Sequence, residues 1–104
     1  MPPTDSATLA DALEDLSSLL RRYGEVDWAS KIDDDLFFVR KSDSYGANRF
    51  LTYFGGMGSL NDIFLCNANG HPVAPSEEAD LNARLEVLLG RAHRLASEFS
   101  GTLV

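Results

Sequence analysis

The stretch Phe50-Leu51-Thr52-Tyr53-Phe54-Gly55-Gly56-Met57-Gly58-Ser59-Leu60-Asn61-Asp62-Ile63-Phe64-Leu65-Cys66-Asn67-Ala68-Asn69-Gly70 decides how the chain is read. Three of the eight glycines fall within four positions, wedged between two short apolar runs. Glycine loses more conformational entropy on folding than any other residue. Such a cluster is therefore costly unless the backbone needs φ > 0 or a close approach. The run from Ile63 to Asn67 is short, apolar and bounded by turn residues, which predicts a buried strand. Asn69-Gly70 is a strong hairpin signal because both residues accept φ > 0. A two-residue turn there sets Ala68 opposite His71 and Cys66 opposite Val73. Pro72 cannot donate to a ladder, so the returning strand is expected to be short and at an edge. Phe50 to Phe54 reads as a third strand, with a helical turn as the alternative.

Outward from this segment the pattern turns helical. Leu9, Leu13, Leu16, Leu20 and Tyr23 recur at four-three-four-three spacing, the stripe of an amphipathic helix over about Ser6 to Tyr23. Asp5 or Ser6 caps it, Arg21 and Arg22 complement its C-terminal dipole, and Gly24 suits the C′ position. Trp28, Ile32 and Leu36 predict a second helix from about Asp27 to Phe37. Phe37-Phe38-Val39 either extends that helix or begins a strand, and Lys41 to Asn48 reads as a polar loop. In the last third, Leu81, Leu85, Leu88, Ala92, Leu95 and Phe99 mark a long helix capped by Ser76 and ended by Gly101. Gly90 inside it costs about 1 kcal/mol relative to alanine, which suggests that another element packs closely there. The expected architecture is α+β: two or three amphipathic helices on a small antiparallel hairpin or three-stranded sheet, in one domain over 1–104. Residues 1–5 are expected to be disordered and 101–104 frayed.

The net charge is −7, and residues 1–36 carry nine acids against Arg21, Arg22 and Lys31. A field of that sign repels phosphate backbones and argues against nucleic-acid binding, while it can steer a basic protein partner. A single cysteine forms no internal disulfide, and the N-terminus lacks the basic and apolar regions of a secretory signal. No apolar stretch nears the roughly 20 residues needed to span a bilayer. These features point to a cytoplasmic protein without membrane contact.

No catalytic or cofactor motif stands out. The amides from Gly56 to Ser59 could cradle an anion, but Walker and G-x-G-x-x-G spacings are absent and Asp62 would repel the ligand. The structural alternative is a chain reversal in which Asn61 and Asp62 bond the loop amides. His71 is expected at the surface, His93 on the polar side of the last helix, and Cys66 as a small core residue, none at zinc-ligand spacing. Asp33, Asp34 and Asp35 lack the alternation of a calcium loop and splay about 100° apart on a helix, which favours a solvated or partner-facing acidic patch. Arg84, Arg91 and Arg94 are expected to pair with Glu77, Glu86 or Glu98.

Phe54-Gly55-Gly56-Met57-Gly58-Ser59-Leu60-Asn61-Asp62-Ile63, Asn69-Gly70 and the Asn82-bearing last helix resemble a family of small bacterial proteins. Its members share an F-G-G-M-G-S-[LF]-N-D-[LI] signature and a preceding L-x-x-Y-G-x-x-x-W element, matched here by Leu20 to Trp28, so the resemblance covers about residues 13–99. It implies no catalytic residue. By size and acidity alone such proteins resemble toxin-immunity proteins.

The expectation is therefore a non-enzymatic, cofactor-free acidic module that binds a basic protein, most concretely an immunity protein neutralising a toxin. Its surface would comprise Asp33, Asp34, Asp35, Gly55, Gly56, Met57, Gly58, Ser59, Asn61 and Asp62. The alternative is a small-ligand sensor or accessory domain that uses the Gly55–Asp62 loop as a pocket wall. Homodimerisation through the final helix is a further possibility.

Overall fold

The leucine stripe at the N-terminus folds as its spacing demands. In a computed structural model, which describes residues 5–55 and 58–102, it forms α1 (Ser6–Arg22). Asp5 caps it, its carboxylate accepting the Thr8 N–H at 2.7 Å. That bond holds the Asp5 carboxyl below its ordinary value. Leu9, Leu13, Leu16 and Leu20 are fully buried, and Gly24 turns the chain at φ +92°. The disorder and fraying expected at the termini fall mostly on 1–4 and 103–104, outside the described residues.

α2 (Val26–Arg40) continues through Phe37-Phe38-Val39, so that stretch extends the helix and begins no strand. α3 (Ser44–Leu51) lies largely where a polar loop was expected. Asp43 starts it by accepting the Tyr45 N–H at 3.0 Å. α4 (Glu78–Thr102) follows a 3₁₀ turn at Pro75–Glu77 and runs on through Gly101. α1 packs on α2 and α4, and α3 packs on the same two helices, so four helices close around one leucine-rich core.

The α+β expectation is therefore corrected to an all-helical fold: among the described residues there is no strand, hence no hairpin or sheet. Phe50 belongs to α3 and is fully buried, and the chain turns at Thr52-Tyr53. Ile63 to Cys66 is not helical, but no strand pairs with it. Side chains satisfy its backbone instead. The Leu65 N–H donates to Asn82 Oδ1, and Asn82 Nδ2 donates to the Leu65 carbonyl, both at 2.8 Å. The Cys66 N–H donates to His71 Nδ1 at 3.0 Å and the Asn67 N–H to Glu78 at 2.7 Å. Gly70 does take φ +88°, but it ends a 3₁₀ turn at Asn67–Asn69. Pro72 and Pro75 deprive the following segment of the donors that a returning strand would need.

Two glycines within helices contrast. A Cβ on Gly46 would meet the Asp35 carbonyl oxygen at 2.3 Å and Phe38 Cβ at 3.1 Å, because α3 crosses α2 backbone to backbone there. Gly90 meets nothing within 4 Å, so the close packing expected at that position is absent among the described residues. We expect Gly46→Ala to destabilise the fold by about 1–3 kcal/mol through overpacking, whereas Gly90→Ala should gain up to about 1 kcal/mol. Urea denaturation of both variants checks the pair. Asn82→Ala leaves the Leu65 amide and carbonyl without partners. It should cost about 2–4 kcal/mol in the same assay.

Candidate functional site

Successive helix positions lie about 100° apart, and the three consecutive aspartates on α2 accordingly enter three environments. Asp33 turns to α1, accepting the Ser17 hydroxyl at 2.5 Å and pairing with Arg21 at 2.7 Å. Asp34 is exposed. Asp35 is fully buried under α3. The run therefore does not form one acidic patch. Other N-terminal acids are also engaged internally: Glu14 with Arg40 at 2.8 Å and Asp15 with Arg91 at 3.4 Å. Arg94 pairs with Glu98 at 3.6 Å, within the expected set of partners, whereas Arg91 reaches α1.

Asp35 is the most perturbed carboxyl in the molecule. Neither of its oxygens has a formed hydrogen bond, and the Tyr53 hydroxyl buried beside it is likewise unsatisfied. Arg49 Nε stands 3.4 Å from Oδ1. Burial pushes Asp35 up to about 6, against the opposing pull of Tyr53 and Arg49. Burial, with the nearby Asp35 carboxylate, raises Tyr53 to about 12.

The glycine loop closes on itself. Its base is the Leu60 N–H donating to the Tyr53 carbonyl at 2.8 Å. Asn61 Oδ1 accepts the Gly55 N–H at 3.2 Å and the Ser59 hydroxyl at 2.6 Å. Asp62 accepts the Gly58 N–H at 3.1 Å. Gly55 and Gly58 sit at φ +92° and +78°, the left-handed region that glycine enters without penalty. Their amides are thus taken by the loop's own side chains, which is the structural alternative read from the sequence. Gly56 and Met57, also proposed as contact residues, lie outside the described residues.

His71 is not a surface histidine. Its side chain is 11% exposed, and Nε2 lies 2.8 Å from Glu25 Oε1. Because Nδ1 accepts the Cys66 N–H, the proton is assigned to Nε2, which donates to Glu25. The imidazole thereby ties the α1–α2 turn to the extended segment. With both nitrogens committed, it is not placed to take a proton from the buried Cys66 thiol. Among the described residues no group of three or more His, Cys, Asp or Glu side chains could hold a metal ion. No helix among them is long and apolar enough to cross a membrane.

One feature was missed in the sequence because it is built from distant segments. A groove of about 870 Å³ runs between the loop side of the molecule and α4. Phe54, Asn61, Ile63 and Phe64 form one wall, and Ala79, Ala83, Glu86, Gly90 and His93 line the helix side, with Leu89 among the apolar lining. Phe54 meets the His93 ring edge-on, the centroids 4.7 Å apart. Phe64 is 56% exposed. Another exposed aromatic group, Phe37 with Tyr45 around Phe38, has its own cations beside it, Lys41 lying 4.1 Å from the Phe37 centroid and Arg49 5.8 Å from that of Tyr45.

The Asp35 site carries a pH signature. Between pH 3.8 and about 6 a buried carboxyl raised in this way keeps its proton in the folded state while the unfolded chain releases it. Its contribution to stability is full below pH 3.8 and is lost as pH rises through about 6, on the order of 3 kcal/mol in all. Relative to Asp35→Asn, the wild type should therefore lose stability between about pH 4 and 6. Denaturant midpoints for both proteins across that window test it, and parallel curves would contradict the assignment.

Comparison with known families matches residues 21–74, from the last turn of α1 to the residue before the 3₁₀ turn that leads into α4, to a domain of unknown function, DUF6966. The chain belongs to that family. No curated protein and no solved structure matches it.

Proposed function

We propose that this DUF6966 protein is a binding module, without chemistry of its own, that receives a small ligand with an apolar body between its glycine loop and α4. The observation that carries this reading is the groove itself. Its volume of about 870 Å³ lies within the range of small-molecule sites, roughly 300–1,000 Å³. Its lining combines apolar and aromatic side chains with a few polar groups, the usual composition of such a site. The loop contributes Asn61 to one wall, and its internal hydrogen bonds keep that wall in place. This reading follows the sensor or accessory-domain alternative drawn from the sequence, in which the Gly55–Asp62 loop is a pocket wall; of that loop, Asn61 lines the groove.

A second reading remains the acidic module that occludes a basic protein, such as an immunity protein on its toxin. The net charge of −7 favours it. Its contacts would come from Asp11, Asp27 and Asp34, which are exposed and unpaired among the described residues, since Asp33 and Asp35 are engaged inside the molecule. A homodimer through α4 would use Val87, 68% exposed on that helix.

N-Phenyl-1-naphthylamine, a neutral probe that fluoresces in apolar surroundings, tests the groove. Its emission should rise and saturate at one probe per chain. Ala83→Trp, which fills the groove from an exposed helix position, should abolish the rise without changing the circular dichroism. A wild-type chain that fails to enhance emission, or an Ala83→Trp variant that binds as well as wild type, would overturn the reading.

A further inference from the structure

Gly90 is the unexplained residue of α4. A helix interior disfavours glycine, and helical φ does not require it. Among the described residues nothing approaches it either, since a Cβ there would meet no atom within 4 Å. What the missing side chain does accomplish is to leave the groove floor bare where it lines the cavity. One turn before it on the same helix, Glu86 faces the groove as an exposed carboxylate with no ion-pair partner among the described residues. One turn beyond it, His93 is stacked edge-on against Phe54. At 1.5 Å per residue, the bare segment between Glu86 and His93 spans about 10 Å along the helix. Asn82, another polar lining residue, has its oxygen bonded to Leu65 and its amide hydrogens to Leu65 and Glu78. Glu86 is therefore the one carboxylate on the groove wall.

We infer that the groove's ligand is an organic cation, a primary amine or guanidine on an apolar body of about 6–10 Å, seated with its charge at Glu86, its chain over the bare backbone of Gly90 and its far end against Phe54 and His93. Charge complementarity selects the cation, because a carboxylate ligand would face Glu86 directly and a neutral one would leave it unused. The aromatic end suits the ligand's apolar body, since ring edges pack against apolar groups. An exposed pair of this kind contributes modestly, so the preference should be a few-fold and should fall with salt.

The inference rests on the groove being the ligand site, and three matched probes separate the two. 4-Phenylbutylamine, 4-phenylbutanol and 4-phenylbutyrate share one body and differ in charge, and their binding to the full chain is followed by amide chemical shifts at low salt. The amine should bind about three- to fivefold more tightly than the alcohol, with the carboxylate weakest. Glu86→Gln should bring amine and alcohol to the same affinity. Gly90→Leu should abolish binding of all three while leaving the fold intact, as no atom of the described residues lies where the new side chain begins. Equal affinity for amine and alcohol, or an amine preference that survives Glu86→Gln, would overturn the cation assignment and leave the groove standing. Undiminished binding to Gly90→Leu would overturn the groove itself, and absence of binding by any of the three at millimolar concentration would overturn the inference.

Discussion

The Asn82 carboxamide does for the segment Ile63 to Cys66 what a neighbouring strand does in a sheet. Its oxygen and nitrogen each make a 2.8 Å bond to Leu65, one to the N–H and one to the carbonyl. The same nitrogen also donates to the Glu78 carbonyl one turn earlier on α4. Leu65 is fully buried, so its backbone groups would otherwise be removed from water without partners. That single side chain makes it possible for an apolar, non-helical segment to lie on a helix in place of a sheet. The bonds at Leu65 hold its neighbours Ile63 and Phe64 beside α4, where both line the groove.

How far the sequence could be read depends on whether the information was local. α1 and α4 are visible as leucine stripes, because each helix buries one continuous face and its caps are adjacent in the chain. The stretch 37–54 was opaque for the opposite reason: Phe37 and Tyr45 are about half exposed, so hydrophobicity there does not mark the core. Ile63 to Cys66 has the composition of a buried strand, and composition cannot say whether a strand or a side chain supplies the backbone partners. A signal for Asp35 was present and unused. It lies three residues after Ile32 and four before Val39, both fully buried, and so on the helix's inner stripe. Asn82 gave a comparable hint, a polar residue directly following the stripe position Leu81. Only the loop side of the groove had a signal, the Gly55–Asp62 segment read as a pocket wall; the α4 side had none, since the two walls come from separate segments of the chain.

The buried Asp35 gives the molecule a costly polar junction at the foot of the glycine loop. Tyr53 connects the two: its hydroxyl lies against Asp35, and its carbonyl accepts the Leu60 N–H that closes the loop. Its ring also packs edge-on to Trp28, with centroids 5.5 Å apart. α2, α3 and the loop therefore meet at one residue. A carboxylate without formed hydrogen bonds is an expensive core residue. The Arg49 guanidinium offsets only part of that expense.

The two helix-interior glycines show how a local cost distinguishes internal from external demands. At Gly46 the reason is inside the molecule, since the Asp35 carbonyl oxygen occupies the space a methyl group would need. Packing with α2 then repays the lower helix propensity, and the position is fixed by the fold. At Gly90 the same local cost is present, and nothing among the described residues repays it. A residue that weakens its own helix and frees space that no described segment uses is most simply understood by what lies outside the chain. Since that space opens onto the groove beside Glu86, the demand at Gly90 and the charge at Glu86 converge on one external partner.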